Sequence, residues 1–142
     1  MKKFIFIALI CLCFGLNVFA QMKIKVLKYE VPNLKYPAVA QATLISSEVV
    51  VSVKIDKEGK VVSSKAESGH LIFRSLSEQA ATKWLFSKDN SLDEREIKIT
   101  FAFTIKNNNT DKNNFKETKI KTQLKKPYRL EISATIYPRI NV

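Results

Sequence analysis

The chain has 142 residues, with 24 lysines and arginines against 13 aspartates and glutamates, which gives a formal net charge of +11. This length suffices for one domain with a modest core that needs no disulfide or metal to fold. Three glycines in the whole chain exclude Gly-rich phosphate-binding loops. Both cysteines, Cys11 and Cys13, precede residue 20, so the remainder has no thiol for a disulfide, a nucleophile or a metal ligand.

Residues 1–20 have the layout of a secretory signal peptide. Positively charged Met1–Lys3 precedes the apolar run Phe4–Leu16, and small residues lead up to Ala20, after which we predict cleavage. A membrane anchor is the alternative, but the run is shorter than the ~20 residues that a spanning helix needs. Lipidation requires a small residue directly before a cysteine, which neither cysteine has. We therefore expect an exported protein, either periplasmic or secreted.

The positive charge lies in the flanks of the mature chain. Residues 36–105 carry nine basic and nine acidic side chains, whereas residues 21–35 carry +3 and residues 106–142 carry +6. A nucleic-acid-binding protein usually concentrates its charge on a folded face. We therefore predict no nucleic-acid partner and interpret the flanks as solvated segments. Weak contact with an anionic envelope surface is the alternative.

A short helix and a hairpin follow an extended leader, residues 21–35. Pro37 suits the first turn of a helix over Ala38–Leu44, because a proline there removes only a donor that has no helical partner. Apolar residues alternate along Val49–Ile55, which predicts a half-buried strand. Asp56–Gly59 is typical of a turn, and Lys60–Glu67 then predicts the second strand of an antiparallel hairpin.

A long helix and a third strand come next. Ser75 and Glu78 have the spacing of a capping box at the start of a helix. Trp84 ends an apolar stripe with a spacing of four residues, which predicts the buried face of that helix; its earlier members are Ile72, Leu76 and Ala80. Strict alternation over Ile97–Ile105 then gives the strongest strand signal in the chain.

The C-terminal part combines a polar segment with a fourth strand. Residues 106–126 are polar, with three consecutive asparagines, and are predicted to form a mobile linker. Alternation returns over Tyr128–Ile136, within a C-terminal extension that spans residues 127–142.

This order of elements resembles the C-terminal domain of TonB energy transducers over residues 36–105. The resemblance depends on an ordered set of residues: Tyr36, Pro37, Ala40, Gly59, Ser68, Gly69, Trp84 and Phe86. It implies an α+β fold, a small antiparallel sheet of three strands plus the C-terminal fourth, with two helices on one face. The chain would be a stand-alone exported TonB-like domain, because the proline-rich spacer and membrane anchor of TonB itself have no counterpart here.

The resemblance also implies a binding site and a function. In this family the last core strand has a free edge that recognises a segment of an outer-membrane transporter by strand addition, in which main-chain groups pair. Carried onto this chain, the edge comprises Ile97, Lys98, Ile99, Thr100, Phe101, Phe103, Thr104 and Ile105. The expected function is a non-enzymatic module that binds an extended protein segment in the periplasm and is linked to transport. The expected partner is therefore a periplasmic or outer-membrane protein segment.

The C-terminal strand suggests an alternative. A free sheet edge favours aggregation, and proteins often cover it. The residues that could cover this one are Tyr128, Leu130, Ile132, Ala134 and Ile136. They could do so within one chain or by strand exchange in a homodimer. The protein would then be a structural, envelope-associated protein with a sealed edge.

Catalytic chemistry is not predicted. His70 is the chain's one histidine, and general acid–base catalysis would need positioned partners around it. The carboxylates near residues 56–58 and 93–96 are interpreted as solvated turns rather than a metal cage. We therefore expect no enzyme, no cofactor and no metal.

Overall fold

The computed structural model describes residues 24–29, 31, 36–89, 94–108 and 115–138. The predicted signal peptide lies outside these residues. The elements in chain order are β1 (Val26–Lys28), α1 (Ala38–Ala42), β2 (Ser47–Asp56), β3 (Val61–Ala66), α2 (Leu71–Ala81), β4 (Leu85–Phe86), β5 (Glu94–Asn107), β6 (Phe115–Lys125) and β7 (Arg129–Pro138).

Five strands form one mixed sheet in the order β3–β2–β5–β7–β6. All neighbours are antiparallel except β5 and β7, which are parallel. The α+β class is confirmed. The three core strands β3, β2 and β5 are antiparallel, as predicted. The predicted C-terminal strand, β7, joins this sheet parallel to β5, because the β6–β7 hairpin enters with β7 between β5 and β6. β6 reverses the chain direction and β7 reverses it again, so β7 runs parallel to β5.

The core lies between this sheet and α2. Alternate residues of β2 and β5 are buried, as their period-two pattern predicts. The ring of Phe73 on α2 stacks on Phe103 of β5, with ring centroids 4.3 Å apart. Tyr36 packs edge-on against both rings. Its hydroxyl donates to the carbonyl oxygen of Ile45 over 2.6 Å, which fixes the segment around α1 to the core.

The start of α2 differs from the predicted capping box. The helix begins at Leu71, and His70 is the N-cap residue, its Nδ1 accepting from the N–H of Ile72 over 3.4 Å. Ser75 therefore lies inside the helix. Glu78 caps nothing; its carboxylate accepts from the N–H of Ala66 on β3, over 2.7 Å. The spacing was correct for a capping box, but tertiary pairing with β3 uses the carboxylate instead.

The predicted extended leader and the predicted mobile linker both contain strands. Within the leader, β1 pairs antiparallel with β4, and the N–H of Ser87 donates to the carbonyl oxygen of Lys25 over 2.8 Å. Within the predicted linker 106–126, β6 pairs with β7 over ten residue pairs. The mobile-linker prediction was therefore wrong for Phe115–Lys125, and residues 109–114 lie outside the described residues. β6 was missed because its polar composition obscured its pairing.

Candidate functional site

The predicted edge strand lies in the middle of the sheet. On β5, Ile97, Ile99, Phe101 and Phe103 are buried and Ile105 is half-buried. Lys98 and Thr104 are exposed on the opposite face, and Thr100 is half-buried there. The side chains thus divide between the two faces as predicted, whereas the strand's main-chain edge is largely paired.

That edge is paired with β7 from Thr100 to Asn107. The N–H of Thr100 donates to the carbonyl oxygen of Tyr128 over 2.9 Å, and the N–H of Asn108 donates to that of Ile136 over 3.1 Å. Because the main-chain N–H and C=O groups of successive residues in a strand point to opposite sides, those of the even-numbered residues of β5 point towards β7. The part of β5 that precedes Thr100 does not pair with β7. The main-chain groups of Glu96 and Lys98 on that side of β5 therefore lie before the start of β7.

β7 is also part of the hydrophobic core. Its inward side chains are fully or almost fully buried: Leu130, Ile132, Ala134 and Ile136. Tyr128, in the turn before β7, packs edge-on against Phe86, and its hydroxyl donates to the carbonyl oxygen of Ile24 over 2.8 Å. Burial raises the pKa of this hydroxyl above its ordinary value. The C-terminal strand is therefore anchored by packing as well as by main-chain hydrogen bonds.

An ion pair crosses β5 on the outer face of the sheet, opposite the helices. Arg129 on β7 pairs with Glu48 on β2, and in register Glu48 lies opposite Ala102 of β5, which lies opposite Glu131 of β7. The small side chain of Ala102 leaves room for the longer side chains on either side. The hydrogen bond from Arg129 lowers the pKa of Glu48, and that from Lys125 at 2.9 Å lowers the pKa of Glu131.

The residues that suggested the family have structural positions. Tyr36, Ala40, Trp84 and Phe86 are buried, Pro37 is half-buried before α1, and Ser68 is exposed. Gly69 has φ +105°, and a Cβ there would lie 2.5 Å from the carbonyl oxygen of Glu48. Gly59 has φ +84°, and a Cβ there would clash with the carbonyl of Phe86. These two turns therefore require glycine.

Sequence reasoning missed β6, which is the terminal strand of the main sheet among the described residues. The side chains of its odd-numbered residues, such as Lys121, lie on the outer face of the sheet, and those of Ile120 and Leu124 lie on the core side. The available signal was the alternation of Thr118, Ile120, Thr122 and Leu124 with polar residues. Frequent lysines conceal that signal in a hydrophobicity-based reading.

Within the described ranges, no three histidine, cysteine or carboxylate side chains come together as a metal site. Arg95, expected in a solvated acidic loop, is instead on β5, buried and paired with Asp89 at 3.3 Å. No helix among the described residues has the length and apolarity to cross a membrane. The geometry is thus that of a small α+β domain in which the candidate binding surfaces are the edges of the sheet.

Comparison with known proteins identifies the family. Residues 32–105, slightly more than half of the chain, match the family described as Gram-negative bacterial TonB protein C-terminal, and the chain belongs to it. The solution NMR structure of the Pseudomonas aeruginosa TonB C-terminal domain is 26% identical, covering 59% of this chain and 88% of that chain, with a TM-score of 0.44. Comparison with curated proteins gave no match. Family membership makes this chain a TonB-like module, a class generally associated with envelope transport.

Proposed function

We propose that this protein is a non-enzymatic periplasmic module that binds an extended segment of an envelope protein by strand addition, in support of outer-membrane transport. Family membership supports the class of function. The observation that carries the mode of binding is a long mixed sheet that ends, among the described residues, in strands whose outer main-chain groups face no further strand. Such groups give affinity to an added strand, and alternate side chains give selectivity.

Most of the predicted binding edge on β5 is already occupied by β7. Between Thr100 and Asn107 a partner would have to displace β7. Full burial of a large aliphatic side chain is worth about 1.5–3 kcal/mol, so exposing the three large ones on β7 would cost roughly 5–9 kcal/mol unless the partner replaced them. Displacement is therefore costly, and an added strand gains more by pairing where no strand has to leave.

A peptide titration followed by NMR tests the proposed function. The purified protein is mixed with synthetic extended segments taken from the periplasmic faces of outer-membrane proteins. We expect at least one segment to shift and protect the amides of a single sheet edge, with an alternating pattern along that strand. If no segment perturbs any edge amide, the proposal of strand addition is wrong.

The second candidate is a structural, envelope-associated role with a sealed edge. The complete burial of the inward side of β7 favours it, because this strand has the character of a permanent core element. The basic flank 106–142 would then contact anionic surfaces. Vesicle co-sedimentation separates the two: binding to anionic vesicles that disappears as salt rises, with no peptide binding, would support this candidate.

A further inference from the structure

Of the surfaces that the proposed function leaves open, the edge of β6 has the most specific chemistry. β6 pairs with β7 from Glu117 to Lys125, and its bulge lies at the far end, between Phe115 and Glu117. Residues 118–125 therefore form a regular strand with β7 on one side. On the other side, no described strand pairs with it.

The hydrogen bonds between β5 and β7 determine which main-chain groups of β6 point away from β7. Even-numbered residues of β7 direct their main-chain groups to β5, since Tyr128 and Ile136 accept from Thr100 and Asn108. Odd-numbered residues of β7 therefore pair with β6, where Ser133 lies opposite Lys121. The outward groups of β6 are consequently those of its even-numbered residues: Thr118, Ile120, Thr122 and Leu124.

The outer face of this edge is cationic. Lys119, Lys121 and Lys125 project there with Gln123, and all four side chains are exposed. Lys125 is paired with Glu131 at 2.9 Å, and the ammonium of Lys119 lies 5.3 Å from the centroid of the Tyr137 ring. Lys121 has no ion pair with any residue that the structure describes. A strand added here would place alternate side chains beside Lys119 and Lys121, where acidic residues are favoured.

The core-facing side of the same edge carries two large apolar side chains, which alternate with Thr118 and Thr122. The hydroxyl of Thr118 donates to the side-chain oxygen of Gln41 on α1 over 2.8 Å. Ile120 is 37% exposed, which is high for an isoleucine on the covered face of a sheet. Leu124 is half-buried and lines a groove of about 440 Å³ with Ile24, Val26 and Pro127, next to Lys25 and Lys126. Apolar side chains of an added strand would cover Ile120 and enter this groove, extending the core by one strand.

We propose that β6 is a docking edge for an extended segment in which acidic and apolar residues alternate, supplied by another envelope protein. A second copy of this chain fits poorly, because pairing two β6 strands would bring two rows of lysines together. Lysines on an edge also guard against aggregation, and here the same residues would select an acidic partner. The inference depends on strand addition as the mode of binding and specifies its location and partner chemistry.

The test uses the whole purified protein and a short capped peptide that alternates Glu and Val, with a Lys–Val peptide as its control. NMR-detected hydrogen exchange should show new protection at the outward amides of β6, including Thr122, when the Glu–Val peptide is added but not when the Lys–Val peptide is added. Two further Glu–Val peptides carry N-methyl groups on alternate amides. The peptide methylated on the amides that face β6 should lose binding, and the other should keep it, since only one set pairs with the strand.

A charge variant tests selectivity. Lys121→Glu should weaken the Glu–Val peptide about five- to tenfold at low salt, because it replaces a favourable cross-strand pair with a repulsive one. Lys65→Glu, at an exposed lysine of β3 at the opposite end of the sheet, should leave affinity unchanged.

Three outcomes overturn the inference, and they are distinguishable. If peptides protect Glu96 and Lys98 on β5, or the β3 edge, strand addition stands and β6 is the wrong location. If neither peptide protects any strand edge while segments of outer-membrane proteins also fail, strand addition itself is wrong. Dimerisation through β6 without peptide binding would show a second copy as the occupant and would likewise overturn the inference.

Discussion

The two halves of the main sheet contribute to one hydrophobic core but differ in charge, in hydrophobic pattern and in the exposure of their outer strands. The β3–β2–β5 half belongs to the family-matched region and has balanced charge, and two of its strands, β2 and β5, have strong hydrophobic alternation. The β7–β6 half follows that region and is basic. Its inner strand is as fully buried as β5, whereas its outer strand is mostly exposed. An added hairpin can therefore close one sheet edge and create another with a different chemistry.

The largest expected effect comes from removing the added half. Deleting residues 115–142 exposes the β5 edge and the core surface that Leu130, Ile132 and Ile136 cover. We expect loss of the cooperative thermal transition or formation of oligomers through the free edge. Sedimentation velocity and thermal melting measure this. A monomer with unchanged melting would show that the family-matched half is self-sufficient.

A single core truncation measures how firmly β7 is integrated. Ile132→Ala should lower the free energy of unfolding by about 2–5 kcal/mol, because it removes a fully buried side chain. Thr135→Ala, on the outer face of the same strand, should change it by less than about 0.5 kcal/mol. Urea denaturation of both variants checks this. Equal, small effects would mean that β7 contributes little to the core.

A backbone change tests the other half. Gly69→Ala should destabilise the protein by about 1–3 kcal/mol, because the left-handed φ and the approach of the Glu48 carbonyl both oppose a Cβ. The exposed neighbour Ser68 gives the control, Ser68→Ala. Urea midpoints that fall equally in both variants would contradict the role assigned to the turn.

The smallest effect concerns the ion pair that joins the two halves. Arg129 lowers the pKa of Glu48 in the folded protein, so this contribution is present above the ordinary glutamate pKa and is lost as pH falls through the lowered value. Glu48 is well exposed, so the pair is worth at most about 1 kcal/mol.

Urea midpoints of the native protein and Glu48→Gln, measured from about pH 7 down to about pH 3, check the sign. The native protein should be slightly more stable at neutral pH, and the gap should narrow in acid. A gap that widens in acid would contradict the assignment.

The family-matched half was the more predictable one. Alternation in Val49–Ile55 and Ile97–Ile105 identified β2 and β5, because burial against a covered face selects that pattern. The glycine turns and the burial of Trp84 were likewise predictable, but the helical position predicted for Trp84 was wrong, because α2 ends at Ala81. Helix α2 began four residues earlier than the predicted Ser75 cap, since Glu78 bonds to β3 and His70 caps the helix.

The added half was harder to predict for physical reasons. Tyr128–Ile136 was recognisable because its inward face is apolar, but nothing local determines that it runs parallel to β5. β6 has one buried neighbour strand and an open outer side, so its sequence has no need for strong alternation. The Arg129–Glu48 pair joins residues 81 positions apart, and no spacing rule connects them.

The central claim is that β7 is a permanent part of the sheet, and alternating amides of β5 test it most directly. In native-state hydrogen exchange, the amides of Ala102 and Thr104 point to β7, whereas those of Phe101 and Phe103 point to β2. We predict that both sets exchange with the same, global free energy of opening. Rapid exchange of Ala102 and Thr104, with Phe101 and Phe103 still protected, would show that β7 detaches locally and would contradict this account.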